Sequence, residues 1–290
     1  VQMSVSITKT LREKSPKANI VSVSLKDRAA LLPAGKHPSH AMWFDPKADS
    51  FVTSTAVEPT FPKWAAPIGD HDAVMNARAK PWTPLDQNWL TTHAGNDDAP
   101  GEGNIDGLGT TFPHIAKSPY AFRATPFSDP MILDLALASV KAERDPSEPL
   151  LLLISLSSSD VIGHTFGPSS WESWDHLRRL DAELARFLVE LEKLTGPASV
   201  LLSGDHGNVV MPEARVGCKE ADRPMPDDPY DRPCGGGGRI IPDVLRTELS
   251  AESERVLGTP DLFAGVSDGY IFLTAAGRAE TAKRPKLDEI

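Results

Sequence analysis

Two short stretches carry carboxylates and imidazoles at spacings that suit a metal ion. The first begins Ser158-Ser159-Asp160-Val161-Ile162-Gly163-His164 and runs on to Gly167-Pro168. The second is Ser203-Gly204-Asp205-His206-Gly207. Zinc takes imidazole nitrogen and carboxylate oxygen, so two Asp/His pairs delivered to one place would supply its ligands. A lone Asp-x-x-x-His arises often by chance. In the second stretch, neighbouring side chains on an extended chain point opposite ways. Asp205 and His206 therefore face one metal only if the chain turns sharply, which Gly207 permits. The plain alternative makes His206 a loop hydrogen-bonder and Asp205 a helix cap. A third group, Lys26 and Arg28, straddles Asp27. An arginine fork beside a lysine point charge can clamp an oxyanion; the same spacing also describes a solvated charge cluster.

These residues need elements to bring them together. Leu150 to Leu156 is uniformly apolar, as a central parallel strand buried on both faces would be. Ala198 to Leu202 reads as the next strand, and each Asp/His pair lies just past one of the two runs. In open parallel sheets ligands sit outside the carboxyl ends of the strands. Between the runs, Ser169 with Glu172 makes a capping-box signature. Leu177, Leu180, Leu184, Phe187, Leu188, Leu191 and Leu194 then recur at helical spacing, and Gly196-Pro197 ends the helix. Strand, helix, strand predicts a right-handed crossover. Lys26 and Arg28 follow a β-branched strand, Ile20 to Leu25, which itself follows a helix over 3–14. Ser128-Asp129-Pro130 opens a further helix, with Ser128 or Asp129 as N-cap, running to Arg144.

The pattern predicts an α/β fold, a mostly parallel central sheet with helices on both faces, built from residues 1–30 and 128–290. Residues 31–127 are rich in Pro, Gly, Asn, Asp and Trp and read as an irregular insertion or cap, packed by Trp64, Trp82 and Trp89. Within it, Ala41 to Asp45 and Ser50 to Ser54 suggest two strands joined by a turn. His37, His40, His71, His93 and His114 read as surface or hydrogen-bonded histidines, none of them a ligand. Gly235 to Gly238 lacks the lysine and strand context of a phosphate loop and reads as a turn. Ile240 to Leu249 suggests a helix and Gly269 to Thr274 a strand. Cys218 and Cys234 are close enough in sequence to close a loop as a disulfide, which would fit an oxidising compartment; two buried thiols fit equally.

The chain has 290 residues and a formal charge of -10, which argues against a nucleic-acid partner, since that would call for a basic face. No apolar run approaches the length of a membrane span. The opening at Val1 on a polar, helix-like segment reads as a piece excised from a longer protein, so the missing signal peptide says little about compartment.

With these residues assembled, the chain resembles the alkaline phosphatase superfamily, and within it the threonine-nucleophile, phosphate-insensitive bacterial type. Val21 to Ala30, with Pro33-Ala34-Gly35 and Trp43-Phe44-Asp45, is similar to that type's substrate-binding block. Ser157 to Pro168, with Glu172, Asp175 and Asp181, looks like its first metal motif. Ser203 to Gly207 looks like its second, with Gly204 where alanine is usual. The resemblance implies two zinc ions, one on Asp160 and His164 and one on Asp205 and His206, with Lys26 and Arg28 contacting the phosphoryl oxygens. It implies hydrolysis of small phosphate monoesters in a periplasmic or secreted protein. Phosphodiester or nucleotide pyrophosphate hydrolysis is the nearest alternative, and a silent phosphate- or metal-binding module another. The family's hydroxyl nucleophile belongs well upstream of Lys26, and a further histidine ligand belongs near its C-terminus. Neither is found in this sequence, so the isolated chain is expected to be nearly inactive.

Overall fold

The structure, a computed structural model, describes residues 6–215, 241–267 and 269–283. Cys218, Cys234 and Gly235 to Gly238 lie outside the described residues, and with them the disulfide and the glycine turn. Contacts divide the described chain into two compact units, the first reaching Ala214 and the second containing residues 241–283.

In the first unit, helix α1 (Ile7–Lys14) leads into strand β1 (Asn19–Ser24) and helix α2 (Asp27–Ala34). Strands β2 (His40–Asp45) and β3 (Ser50–Val52) follow. Four helices come next: α3 (Ala66–Gly69), α4 (His71–Arg78), α5 (Gln87–His93) and α6 (Pro119–Phe122). Then come α7 (Ser128–Glu143), β4 (Leu150–Ser155), α8 (Ser158–Phe166) and the long α9 (Trp171–Thr195). The sheet order is β3-β2-β1-β4. Strand β1 runs parallel to both β2 and β4, while β2 and β3 form an antiparallel pair. A mostly parallel sheet flanked by helices is the fold that the alternating pattern predicts.

The strands are distributed differently from the sequence reading. The centre is β1, every residue of which is buried. Strand β4, expected at the centre, is the last strand of the sheet among the described residues and is only partly buried along its length. The expected strand Ala198 to Leu202 does not form, and Leu201 is 95% and Leu202 82% exposed. A strand needs a neighbour for its backbone groups as well as apolar side chains, and this run has none among the described residues. The expected crossover is therefore replaced by an irregular segment that carries Asp205 and His206. Residues 31–127 are not wholly outside the sheet either, because they supply β2 and β3.

Helix starts follow local chemistry with two shifts. Helix α7 is capped at Phe127 with no side-chain bond, because the side chains of Ser128 and Asp129 are engaged with Ser158 instead. Helix α9 is capped by Ser170, whose Oγ accepts from the Ser173 amide, not by Ser169. The core packs Phe44, Phe122, Ile132, Leu133, Ile162 and Phe166 around the sheet. Trp82 is fully buried and donates to Asp175 of α9 at 2.6 Å, which ties residues 31–127 to that helix.

The second unit holds α10 (Pro242–Leu257), an antiparallel hairpin of β5 (Phe263–Ser267) and β6 (Tyr270–Leu273), and α11 (Ala275–Ala282). The predicted helix and final strand are there; β5 was not foreseen. No helix of the described residues is long and apolar enough to cross a membrane.

Candidate metal centre

Strands β1 and β4 are parallel neighbours in register, Ser24 opposite Ser155, so the two chains leave the sheet side by side. The first delivers Lys26 at the start of α2; the second delivers Asp160 in the first turn of α8. Asp160 and His164 lie one turn apart on the same helix face, and His164 Nε2 stands 3.1 Å from Asp160 Oδ1. The irregular segment after α9 brings in His206, whose Nε2 is also 3.1 Å from Asp160 Oδ1. The two imidazole centroids are 5.5 Å apart. Lys26 Nζ closes on the other carboxylate oxygen, Oδ2, at 2.5 Å.

Glycine leaves room for this approach. A Cβ placed on Gly163 would meet Asn208 Nδ2 at 2.4 Å, so the exposed Asn208 side chain would have to swing aside. The hydrogen at Gly163 therefore lets the segment carrying His206 and Asn208 lie against α8 between Asp160 and His164.

Electrostatics match the geometry. Burial works to raise the Asp160 pKa, but the Lys26 hydrogen bond and charge, with His164 and His206, outweigh it and hold it below the usual carboxylate value. His206 is shifted upward, first by its hydrogen bond to the Gly207 carbonyl and then by the charge of Asp205. That bond runs from Nδ1 at 3.1 Å. It fixes the proton on Nδ1 and leaves Nε2 as the nitrogen that faces Asp160, the orientation a metal-binding histidine needs.

Among the described residues, Asp160, His164 and His206 form a set of donor atoms lying within 4.8 Å of one another. Two imidazoles and a carboxylate with open positions fit one catalytic zinc. Four of the six residues singled out from the sequence, Lys26, Asp160, His164 and His206, thus meet at one point. Arg28 does not join them, being exposed on α2, and the Asp205 side chain is 84% exposed. Asp205 lies at the edge of the centre, its Oδ2 3.9 Å from the His206 Nε2 that faces Asp160.

Two groups under the centre escaped the sequence reading. Ser159 Oγ lies 2.8 Å from Nε2 of His176, a 1%-exposed residue of α9. Asp129, equally buried, accepts from Ser158 at 2.8 Å. The side chains of Ser158 and Ser159, adjoining Asp160, were the only hint in the sequence.

A sequence model of the family described as type I phosphodiesterase / nucleotide pyrophosphatase matches residues 13–228. Alkaline phosphatase PafA of Elizabethkingia meningoseptica is 36% identical over 284 residues, covering 94% of this chain and 49% of its own length. Alkaline phosphatase PhoV of Synechococcus elongatus is 34% identical over 213 residues, covering 68% of this chain and 38% of its own. The crystal structure of wild-type alkaline phosphatase PafA superposes with a TM-score of 0.72 at 28% identity, covering 95% of this chain and 52% of that one. The chain spans about half the length of PafA and less of PhoV.

Proposed function

Because the chain belongs to the type I phosphodiesterase/nucleotide pyrophosphatase family, within the alkaline phosphatase superfamily, we propose that the whole protein hydrolyses phosphate monoesters with zinc. The observation that carries this reading is the convergence of Asp160, His164 and His206 with the ammonium of Lys26. Asp160, His164 and His206 hold one ion. Asp205, facing solvent one residue away, is assigned to the second ion that the resemblance implies. Bound zinc supplies charge stabilisation for an in-line displacement at phosphorus.

The chain's own residues account for the rest. Asp160 stays ionised because Lys26 and the two imidazoles hold it so. Lys26 leads into α2, and Arg28 lies in that helix's first turn. The helix N-terminus favours anions, and Lys26 faces the centre from there; Arg28, exposed in the same turn, is assigned to the phosphoryl oxygens from the resemblance. A monoester offers three non-bridging oxygens and a diester two, so two cations favour the monoester. PafA and PhoV, named as alkaline phosphatases, support this choice; the family's description supports the diester as the second reading. Location outside the cytoplasm rests on the family resemblance.

The test is a comparison of an aryl phosphate with a diaryl phosphate in the whole protein carrying zinc. Lys26→Ala with Arg28→Ala should lower monoester kcat/KM by on the order of a hundredfold or more, and diester turnover by much less. Equal losses on both substrates would reject the preference for monoesters.

A further inference from the structure

Helix α8 begins without a side-chain cap of its own. The hydroxyl of Ser157, in the N-cap position, instead lies 3.0 Å from Ser155 Oγ and 3.4 Å from Ser24 Oγ. The Asp129 carboxylate accepts from the Ser158 backbone amide as well as from its hydroxyl, so the helix start that holds Asp160 in its first turn is capped from another helix. Two neighbouring helices grip it from the side. From α7, Asp129 Oδ1 accepts from Ser158 Oγ at 2.8 Å, and Ser128 Oγ lies 2.6 Å from the same hydroxyl. From α9, His176 Nε2 lies 2.8 Å from Ser159 Oγ and 3.6 Å from Asp129 Oδ2.

We propose that Ser159 and His176, braced by Asp129, are positioning residues that fix the first turn of α8 and so aim the Asp160 carboxylate at the metal and at Lys26. The inference deepens the proposed zinc reading and rests on it for the metal. Successive helical side chains diverge, so a hold on Ser159 acts from behind while Asp160 faces the site. His176 Nδ1 is buried with no partner. An orphaned donor is rarer than an orphaned acceptor, so the ring N–H belongs on Nε2, where it donates to Ser159 Oγ. The demand for accuracy comes from Asp160 itself. One of its oxygens meets both imidazoles and the other meets Lys26, so a small rotation of the turn spoils three contacts together.

The experiment uses the whole protein with Ser159→Ala, His176→Leu, His176→Gln and the Ser159→Ala/His176→Leu double variant. Zinc affinity is measured by competition with a chromophoric chelator. Hydrogen exchange of the amides of residues 158–162 is measured in metal-free protein. Orienting partners of metal ligands typically contribute about 10- to 100-fold to affinity, and that loss is expected for Ser159→Ala and for His176→Leu. Glutamine, whose Nε2 replaces the lost donor, should recover most of it. The first turn of α8 should exchange faster in both damaged variants, and the double variant should be no worse than either single one, because one link is broken. Unchanged affinity and exchange in Ser159→Ala, or additive losses in the double variant, would overturn the proposal. Should His176→Leu fail to fold, Ser159→Ala alone decides it. Wild-type protein that takes up no zinc would refute the proposed function, and the exchange measurement would then decide the positioning role by itself.

Discussion

Asp160 is the residue on which the centre turns: one carboxylate receives two imidazoles and an ammonium. The place of Asp205 at the exposed edge of the centre makes a prediction about metal count. In the whole protein, Asp205→Ala should remove about one equivalent of zinc and keep the other, whereas Asp160→Asn should cost the ion shared with His164 and His206. Elemental analysis per chain reads both. Retention of both equivalents in Asp205→Ala would remove Asp205 from the ligand set, and loss of both would mean that the two ions are not held independently. Lys26, Asp160, His164 and His206 were legible in sequence because ligand and cation types sat at the ends of apolar runs. His176 was not, because a single histidine within a leucine-spaced helix carries no local mark. Its partner is 17 residues away on another helix, and only packing reveals the meeting.

At the scale of elements, the contact between α8 and the His206 segment depends on the missing side chain at Gly163. Gly163→Ala should push Asn208 aside and draw His206 from Asp160, weakening zinc binding by about tenfold with little change in melting temperature; unchanged affinity would show that Asn208 moves freely. The grip of α7 and α9 makes a second prediction. Burial raises the Asp129 pKa to about 7 and lowers that of His176 to about 4. Between about pH 4 and 6.5 the folded pair keeps one proton, on Asp129, and the unfolded pair also keeps one, on histidine. Their effects on stability therefore cancel. Asp129→Asn removes the carboxylate half. The folded variant then binds no proton where the unfolded chain binds one, so stability present above pH 6.5 is lost as pH falls toward about 4, by on the order of 3 kcal/mol. Melting curves across that window should slope for the variant and stay flatter for the parent. The helices behind these effects were legible from apolar spacing, though their caps fell at Phe127 and Ser170 and not at the residues expected. The expected strand at Ala198 to Leu202 was misread because apolar residues announce a wish for burial and say nothing about whether a neighbouring strand is there to receive them.

Across the whole first unit, residues 31–127 do more than cover the sheet. They extend it by two strands, anchor Trp82 on Asp175 and bring an unusual set of acids inside. Glu172 is fully buried and paired with His114 at 2.8 Å. Both carboxylate oxygens of Glu102 and one each of Asp97 and Glu172 are buried without a hydrogen bond. Burial, then repulsion from Glu172, lifts the Glu102 pKa to about 9. Its folded form thus keeps a proton that the unfolded chain sheds above pH 4.5, and the stability this gives is lost as pH rises toward about 9. Glu102→Gln keeps the neutral form at every pH. It should melt higher than the parent on the alkaline side and equal it near pH 4.5, as a pH series of thermal melts would show; parallel curves would rule this out. The two strands and the packing role of Trp82 were legible in sequence; the buried acids were not. The segment lacks the periodicity that marks helices and strands, and its burial is created by long-range contacts such as Trp82 with Asp175. The bare stretch from Gly196 to Gly204 has a practical consequence of its own. Irregular and solvent-facing, with Leu201 and Leu202 exposed, it has the exposure that favours proteolytic nicking. A single cut there detaches the chain bearing His206 from the helix bearing Asp160. Protection of that tether would then matter to the centre as much as its ligands do.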